Sequence, residues 1–189
     1  MNIKSVIKSL STKRPIFHSE HDFKFALAWE IQSFYPSSKV RLEVPCNGGK
    51  IDILVIYKNH SYPIELKYKK LKLDITIDEE KFSLSKDGAH TDNVPKFIND
   101  IYRVENNSET LNGGMRLGFT IWLTNDHIYW NGPQKPDVDH APFFVHEGVE
   151  IKGKIGGLSF KGSYTIHWDD YHDLKIKKGQ FRYALTEIC

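Results

Sequence analysis

Cysteine is scarce: the 189-residue chain has two, Cys46 and Cys189. Neither a disulfide framework nor a zinc knuckle can be built from them, and His18 and His21 have metal-like spacing but no second pair in register. No apolar run approaches the roughly 20 residues a membrane helix needs. Residues 1–13 also lack the apolar centre of a secretory signal. The expectation is a cytoplasmic chain with no membrane partner. Excess charge of one sign is missing too. With 26 Lys and Arg against 24 Asp and Glu the net charge is +2, which allows a nucleic-acid partner without demanding one. No repeat or low-complexity tract is present, and the length suits a single domain over 1–189, too short for an added recognition domain of ordinary size.

What the chain does have is a cluster of charges inside apolar runs. Asp52 sits in Ile-Asp-Ile-Leu-Val-Ile, a nearly continuous hydrophobic run over 51–56. Glu65 and Lys67 sit in Pro-Ile-Glu-Leu-Lys over 63–67, with a polar, turn-prone segment at 58–61 between the runs. Side chains alternate along a strand, so Glu65 and Lys67 share one face while Ile64, Leu66 and Tyr68 share the other. A hairpin would bring Asp52 beside the Glu65 and Lys67 end. Alternating charges on a strand are ordinarily a solvated face, but an acid in an apolar central strand needs a partner or a metal. Two carboxylates and an ammonium suit metal-assisted phosphodiester hydrolysis. The acids can hold Mg²⁺ or Mn²⁺, and Lys67 can orient water or neutralise developing charge.

Upstream, residues 18–35 predict a helix with Ser19 as N-cap and Asp22 three residues on. Phe23, Leu27, Ile31 and Phe34 form its apolar stripe. Residues 39–45 alternate as a first strand, and 69–88 read as charged and irregular. A second helix over 92–105 tolerates Pro95 in its first turn and offers Val94, Phe97, Ile98, Ile101 and Val104 to a core. His90 precedes it as a loop histidine, and 116–124 is a strongly apolar strand.

Asp52, then Glu65-Leu66-Lys67 after a short hairpin, resembles the PD-(D/E)XK nuclease superfamily, although Ile51 stands where the signature has proline. The resemblance implies an α/β fold with a restriction-endonuclease-like core, αβββαβ around a mixed central sheet, over 18–124. Residues 125–189 would be a β-rich extension. It implies Asp52, Glu65 and Lys67 as catalytic residues and Asp52, Glu65, the Leu66 carbonyl and Glu20 as Mg²⁺ or Mn²⁺ ligands. It also implies hydrolysis of nucleic acid, DNA above all, to a 5′ phosphate, and a homodimer where both strands are cut. Glu20 has an equal claim as a helix-dipole partner.

Other features have two readings. Lys69 and Lys70, in the run Lys-Tyr-Lys-Lys-Leu-Lys over 67–72, could grip phosphates or simply charge a strand end. Lys96 and Arg103 could border a substrate groove, or join Asp92 and Asp100 in a solvated, ion-paired helix face. In the last third, short β runs at 143–146, 149–152, 158–160, 164–168 and 181–188 look like hairpins added to the core, and 133–142 like a Pro- and Asp-bearing loop. Trp130, Tyr164 and Trp168 could stack on bases or fill a core. Two rival functions remain: a catalytically silent nuclease-fold binding or regulatory module of a defence or repair complex, and a hydrolase of small phosphoesters.

Overall fold

The computed structural model describes residues 1–88, 90–107, 117–132 and 143–189. Arg116, the expected start of the fourth strand, and the 133–142 loop lie outside the described residues. The chain opens with α1 (Ile3–Lys13), which the sequence reading did not anticipate. The Asn2 side chain accepts from Ser5 N at 3.0 Å to start it, and Ile3, Val6, Ile7 and Leu10 give it one buried stripe. Helix α2 (Glu20–Phe34) is capped by Ser19 Oγ, which accepts from Asp22 N at 3.1 Å. Phe34 does not join its stripe: it is 42 % exposed, whereas Glu30 is buried. The reason is α1, whose Lys13 and Ser9 meet the Glu30 carboxylate at 2.7 Å and hold it as an ion below the ordinary carboxylate range despite burial.

Strands β1 (Lys39–Cys46), β2 (Gly49–Tyr57) and β3 (His60–Lys69) form an antiparallel meander. The β2–β3 turn is the pair Lys58 and Asn59, both left-handed at φ 52° and 62°, a tight hairpin that admits His60 and Ser61 to the strand. The 69–88 stretch is not irregular. It carries the hairpin β4 (Leu73–Ile77) and β5 (Glu80–Leu84), whose apolar face is Leu73, Ile75, Ile77, Phe82 and Leu84 among many charges.

Helix α3 (His90–Asn106) includes His90 as its first residue and crosses over to β6 (Gly118–Thr124), parallel to β3 and buried throughout. Pro63 is tolerated in β3 because the ladder to β6 starts one residue later, at Ile64. A short helix, α4 (Ile128–Asn131), follows. The strands β7 (Glu150–Ile155) and β8 (Leu158–Thr165) pair with each other, while β9 (Trp168–Asp173) and β10 (Gln180–Ile188) join the main sheet.

The result is α/β with a mixed six-stranded sheet, β1-β2-β3-β6-β10-β9, and a β-rich C-terminal part. The C-terminal strands are not all appended hairpins, because β10 pairs directly with β6. Residues 164–168 belong to two strands, and 143–146 form none. One core lies between the sheet and the α1–α2 layer. Another lies under α3 and includes Trp122, Trp130, Tyr164 and Trp168, so these aromatics fill a core.

Buried Glu105 of α3 clamps the β7–β8 hairpin, accepting from Lys161 N, Gly162 N and the Tyr164 hydroxyl, the last at 2.6 Å. Replacing Glu105 with leucine orphans those donors. A loss of about 3 kcal/mol is expected in urea unfolding. A change under about 0.5 kcal/mol, the size of an ordinary surface substitution, would count against the clamp.

Candidate functional site

The site forms where β2 and β3 part. Their ladder ends at the pair Ile53 and Ile64, and beyond it the exposed edge of β3 has backbone N–H groups with no strand opposite. Two carboxylates satisfy them. Asp52 Oδ2 accepts from Leu66 N at 2.9 Å, and Glu20 Oε2 accepts from Tyr68 N at 2.8 Å. The N-terminus of α2 and the middle of β2 therefore converge on one edge, about 7 Å apart along β3.

Strand registers extend this polarity into a row. Leu42 with Ile53 and Val44 with Ile51 set Glu43 opposite Asp52, and the next step sets Asp52 level with Glu65. Glu65 pairs with Thr120, and Thr120 with Thr186. Ile64, Leu66 and Tyr68 enter the α1–α2 core, so alternation turns Glu65 and Lys67 toward α3.

Each acid has a cationic neighbour. Lys24, itself buried, bonds to Asp52 Oδ1 at 3.0 Å and to Glu43. Arg103 NH2 lies 2.9 Å from Glu65 Oε1, but it donates to the Lys50 carbonyl and to Cys46 Sγ, so its contact with Glu65 is Coulombic and that oxygen gains no hydrogen bond. Lys67 Nζ lies 2.6 Å from Asp100 Oδ2, and Asp100 Oδ1 is 3.6 Å from Arg103 NH1.

The helix-face expectation is thus corrected for two of its four residues. Asp100 and Arg103 turn into the site, whereas Asp92 and Lys96 are exposed. Lys67, Lys96, Asn99, Asp100 and Arg103 line an open cleft of ≈ 420 Å³ that leads to the ammonium. Lys24 and Glu43 are the residues the sequence reading missed, and Asp100 is one it placed on a solvated helix face. The left-handed φ of 54° at Glu43 is not readable from an alternating strand, and 3.6-residue periodicity does not say which edge of a helix meets a sheet.

The electrostatics are unbalanced. Burial, then the Asp100 and Asp52 carboxylates, push Glu65 up to about 9, although Arg103 opposes them. Glu65 is therefore a neutral acid at pH 7, sharing a hydrogen bond with Asp52. Burial also drives Asp100 up to about 6 against the pull of Lys67 and Arg103. Burial alone would lower Lys67, but the Asp100 carboxylate outweighs it and holds the ammonium above its ordinary range.

Of the lysines expected to meet substrate, Lys70 is engaged by Asp87 at 2.8 Å, and Lys69 stands 3.9 Å from Glu20. The Leu66 carbonyl is 3.4 Å from Lys67 Nζ. Among the described residues no three His, Cys, Asp or Glu side chains are grouped as a metal cage, and no helix is long and apolar enough to cross a membrane. No protein-family model, curated protein or solved structure matches the chain.

Proposed function

We propose that the chain is a divalent-cation-dependent nuclease with a restriction-endonuclease-like core that hydrolyses phosphodiester bonds of DNA. One observation supports this most. Asp52 and Glu65 meet at the parting of β2 and β3 beside the Lys67 ammonium, and Glu65 is held protonated by burial first and then by the Asp100 and Asp52 carboxylates. The part of that rise that comes from Asp100 and Asp52, with Arg103 already 2.9 Å away, leaves the cluster short of positive charge. The buried Glu65 Oε1, without a hydrogen-bond donor, points to the same deficit. The order α2, β1, β2, β3, α3, β6 also agrees with the expected core, with β4–β5 inserted.

The donors fit a hard cation by chemistry. Asp52, Glu65 and the Leu66 carbonyl would hold Mg²⁺ or Mn²⁺, with Glu20 at the same strand edge. When bound, the ion supplies Lewis acidity and lowers the pKa of its water. The remaining work falls to this chain's own residues. Lys67 stays an ammonium at working pH, so it orients water and neutralises charge at phosphorus rather than acting as a base. Asp100 holds Lys67 in place, and Lys24 fixes Asp52. Lys96 and Arg103 present positive charge at the cleft through which a phosphate backbone enters.

The test is a panel of supercoiled, linear and single-stranded DNA, RNA and a chromogenic phosphodiester, each with Mg²⁺, Mn²⁺ or EDTA. Wild type should cut DNA only with metal, and Asp52→Asn should lower the rate by about 10²-fold or more. A second reading, a silent binding module, is favoured by the protein cations already pairing with Asp52, Glu65 and Asp100. Calorimetry showing no divalent-ion binding, together with no cleavage, would select it. Turnover of the chromogenic substrate alone would select a small-phosphoester hydrolase.

A further inference from the structure

Helix α2 has an outer face that the fold leaves bare. His21, Phe25, Trp29 and Ser33 recur every four residues along it, and all are exposed. Trp29 is 78 % exposed and Phe25 58 %, more than any other large apolar side chain among the described residues. Single exposed apolar residues are ordinary, but two adjoining rings on one helix face form a patch.

The charges of the same helix are turned away from that patch and matched within the protein. Glu20 accepts from Tyr68 N, Asp22 meets Arg14 at 3.0 Å, Lys24 bonds to Glu43 and Asp52, and Glu30 is held by Lys13. The face is therefore aromatic and depleted of charge, which is the composition of the centre of a protein interface.

That composition argues against other occupants. A phosphate backbone or an anionic membrane needs Lys or Arg around the rings, and the one lysine of α2, Lys24, is buried. Nucleic acid in the cleft does not reach the face either, because α2 packs on the side of Ile64, Leu66 and Tyr68 and the cleft opens on the α3 side. A charged protein partner would find nothing to pair with. A second copy of the same neutral face matches it.

The area is of the right size. With 150–250 Å² for a whole aromatic side chain, the two rings expose about 300 Å² per copy. A stable dimer buries about 800 Å² per partner, about 65 % of it apolar, so the rings supply more than half of the apolar share. Orientation follows from the spacing of four. In an antiparallel pair centred between Phe25 and Trp29, each ring meets the other kind, His21 faces Ser33, and the helix macrodipoles oppose one another. Parallel packing would align the dipoles and bring the acidic first turns together.

We propose that the chain forms a twofold dimer through the outer faces of α2, packed antiparallel so that Phe25 lies on the partner's Trp29 and Trp29 on the partner's Phe25. This interface does not depend on the nuclease reading, and each stands or falls by its own experiment.

Sedimentation velocity of the full chain from about 1 to 100 μM, the range in which a standard-size interface associates, tests it. Wild type should sediment as a dimer. Phe25→Lys and Trp29→Glu should each weaken association at least about thirtyfold, as loss of an interface anchor does. Both positions are exposed, so neither variant should lower the melting temperature. An equimolar mixture of the two variants should recover the dimer, because one Phe25–Trp29 contact survives and the other becomes a lysine–glutamate pair.

A wild type that stays monomeric throughout, or variants that still dimerise, would overturn the proposal. A mixture that stays monomeric would overturn the antiparallel register. Tryptophan fluorescence quenched by a thymidine oligonucleotide in a monomeric wild type, and not in Trp29→Glu, would make the patch a base-stacking surface instead.

Discussion

Lys67→Met is expected to lower DNA cleavage at saturating Mg²⁺ by about 10²- to 10³-fold, the cost of removing one preorganised charge from a developing oxyanion. The ammonium lies 2.6 Å from Asp100 Oδ2 and is held above its ordinary range, so it carries its charge at every working pH. The loss should therefore appear in the maximal rate and not as a shift of the pH profile.

The same substitution removes the closest counter-charge from buried Asp100, which costs about 3 kcal/mol of stability by orphaning one member of a buried pair. Folding and chemistry are separated by the double variant Lys67→Met with Asp100→Asn. It should recover most of the melting temperature and none of the activity. Recovery of both would show that Lys67 serves the fold alone, and cutting unchanged in the single variant would point to a contaminant.

Glu65→Gln should act on stability in the opposite direction. Folded Glu65 keeps its proton until about pH 9, whereas in the unfolded chain it loses it near 4.5. Between those values the unfolded state binds fewer protons, so wild-type stability falls as pH rises, by up to about 1.4 kcal/mol per pH unit. Asp100 adds a decline of the same sign, but only between 3.8 and about 6. Measured above pH 6.5, the slope belongs to Glu65.

The glutamine variant cannot ionise, so its denaturation midpoint should be flatter over pH 6.5 to 9, and it should gain about 2 kcal/mol on wild type between pH 6.5 and 8. It should also lose stabilisation by Mg²⁺, which in wild type reaches about 2.7 kcal/mol at a hundredfold excess over the dissociation constant. Parallel pH slopes in the two proteins would mean that Glu65 ionises normally and that the charge deficit does not exist.

The legible elements were those whose signals are local. Ser19 and the spacing of Phe23, Leu27 and Ile31 define α2, and alternation with a polar turn defines β2 and β3. Val94 to Val104 define α3. The α1 stripe is equally periodic but sits in a helix rich in serine and lysine, and the β4–β5 hairpin is masked by its charges. Of the site, the relation of Glu65 to Lys67 could be read because side-chain alternation is a property of any strand.

The sequence by itself determined which residues can carry the chemistry and that Asp52, Glu65 and Lys67 lie on neighbouring strands, because those relations depend on backbone periods of two and on a short turn. Tertiary structure alone decided that α3 turns Asp100 and Arg103 inward, that Lys24 reaches Asp52, and that a loop over a hundred residues away lies beside the exit of β3. Those contacts depend on which edges of separate elements pack together. That choice is made by burial of the whole core, and no local spacing encodes it.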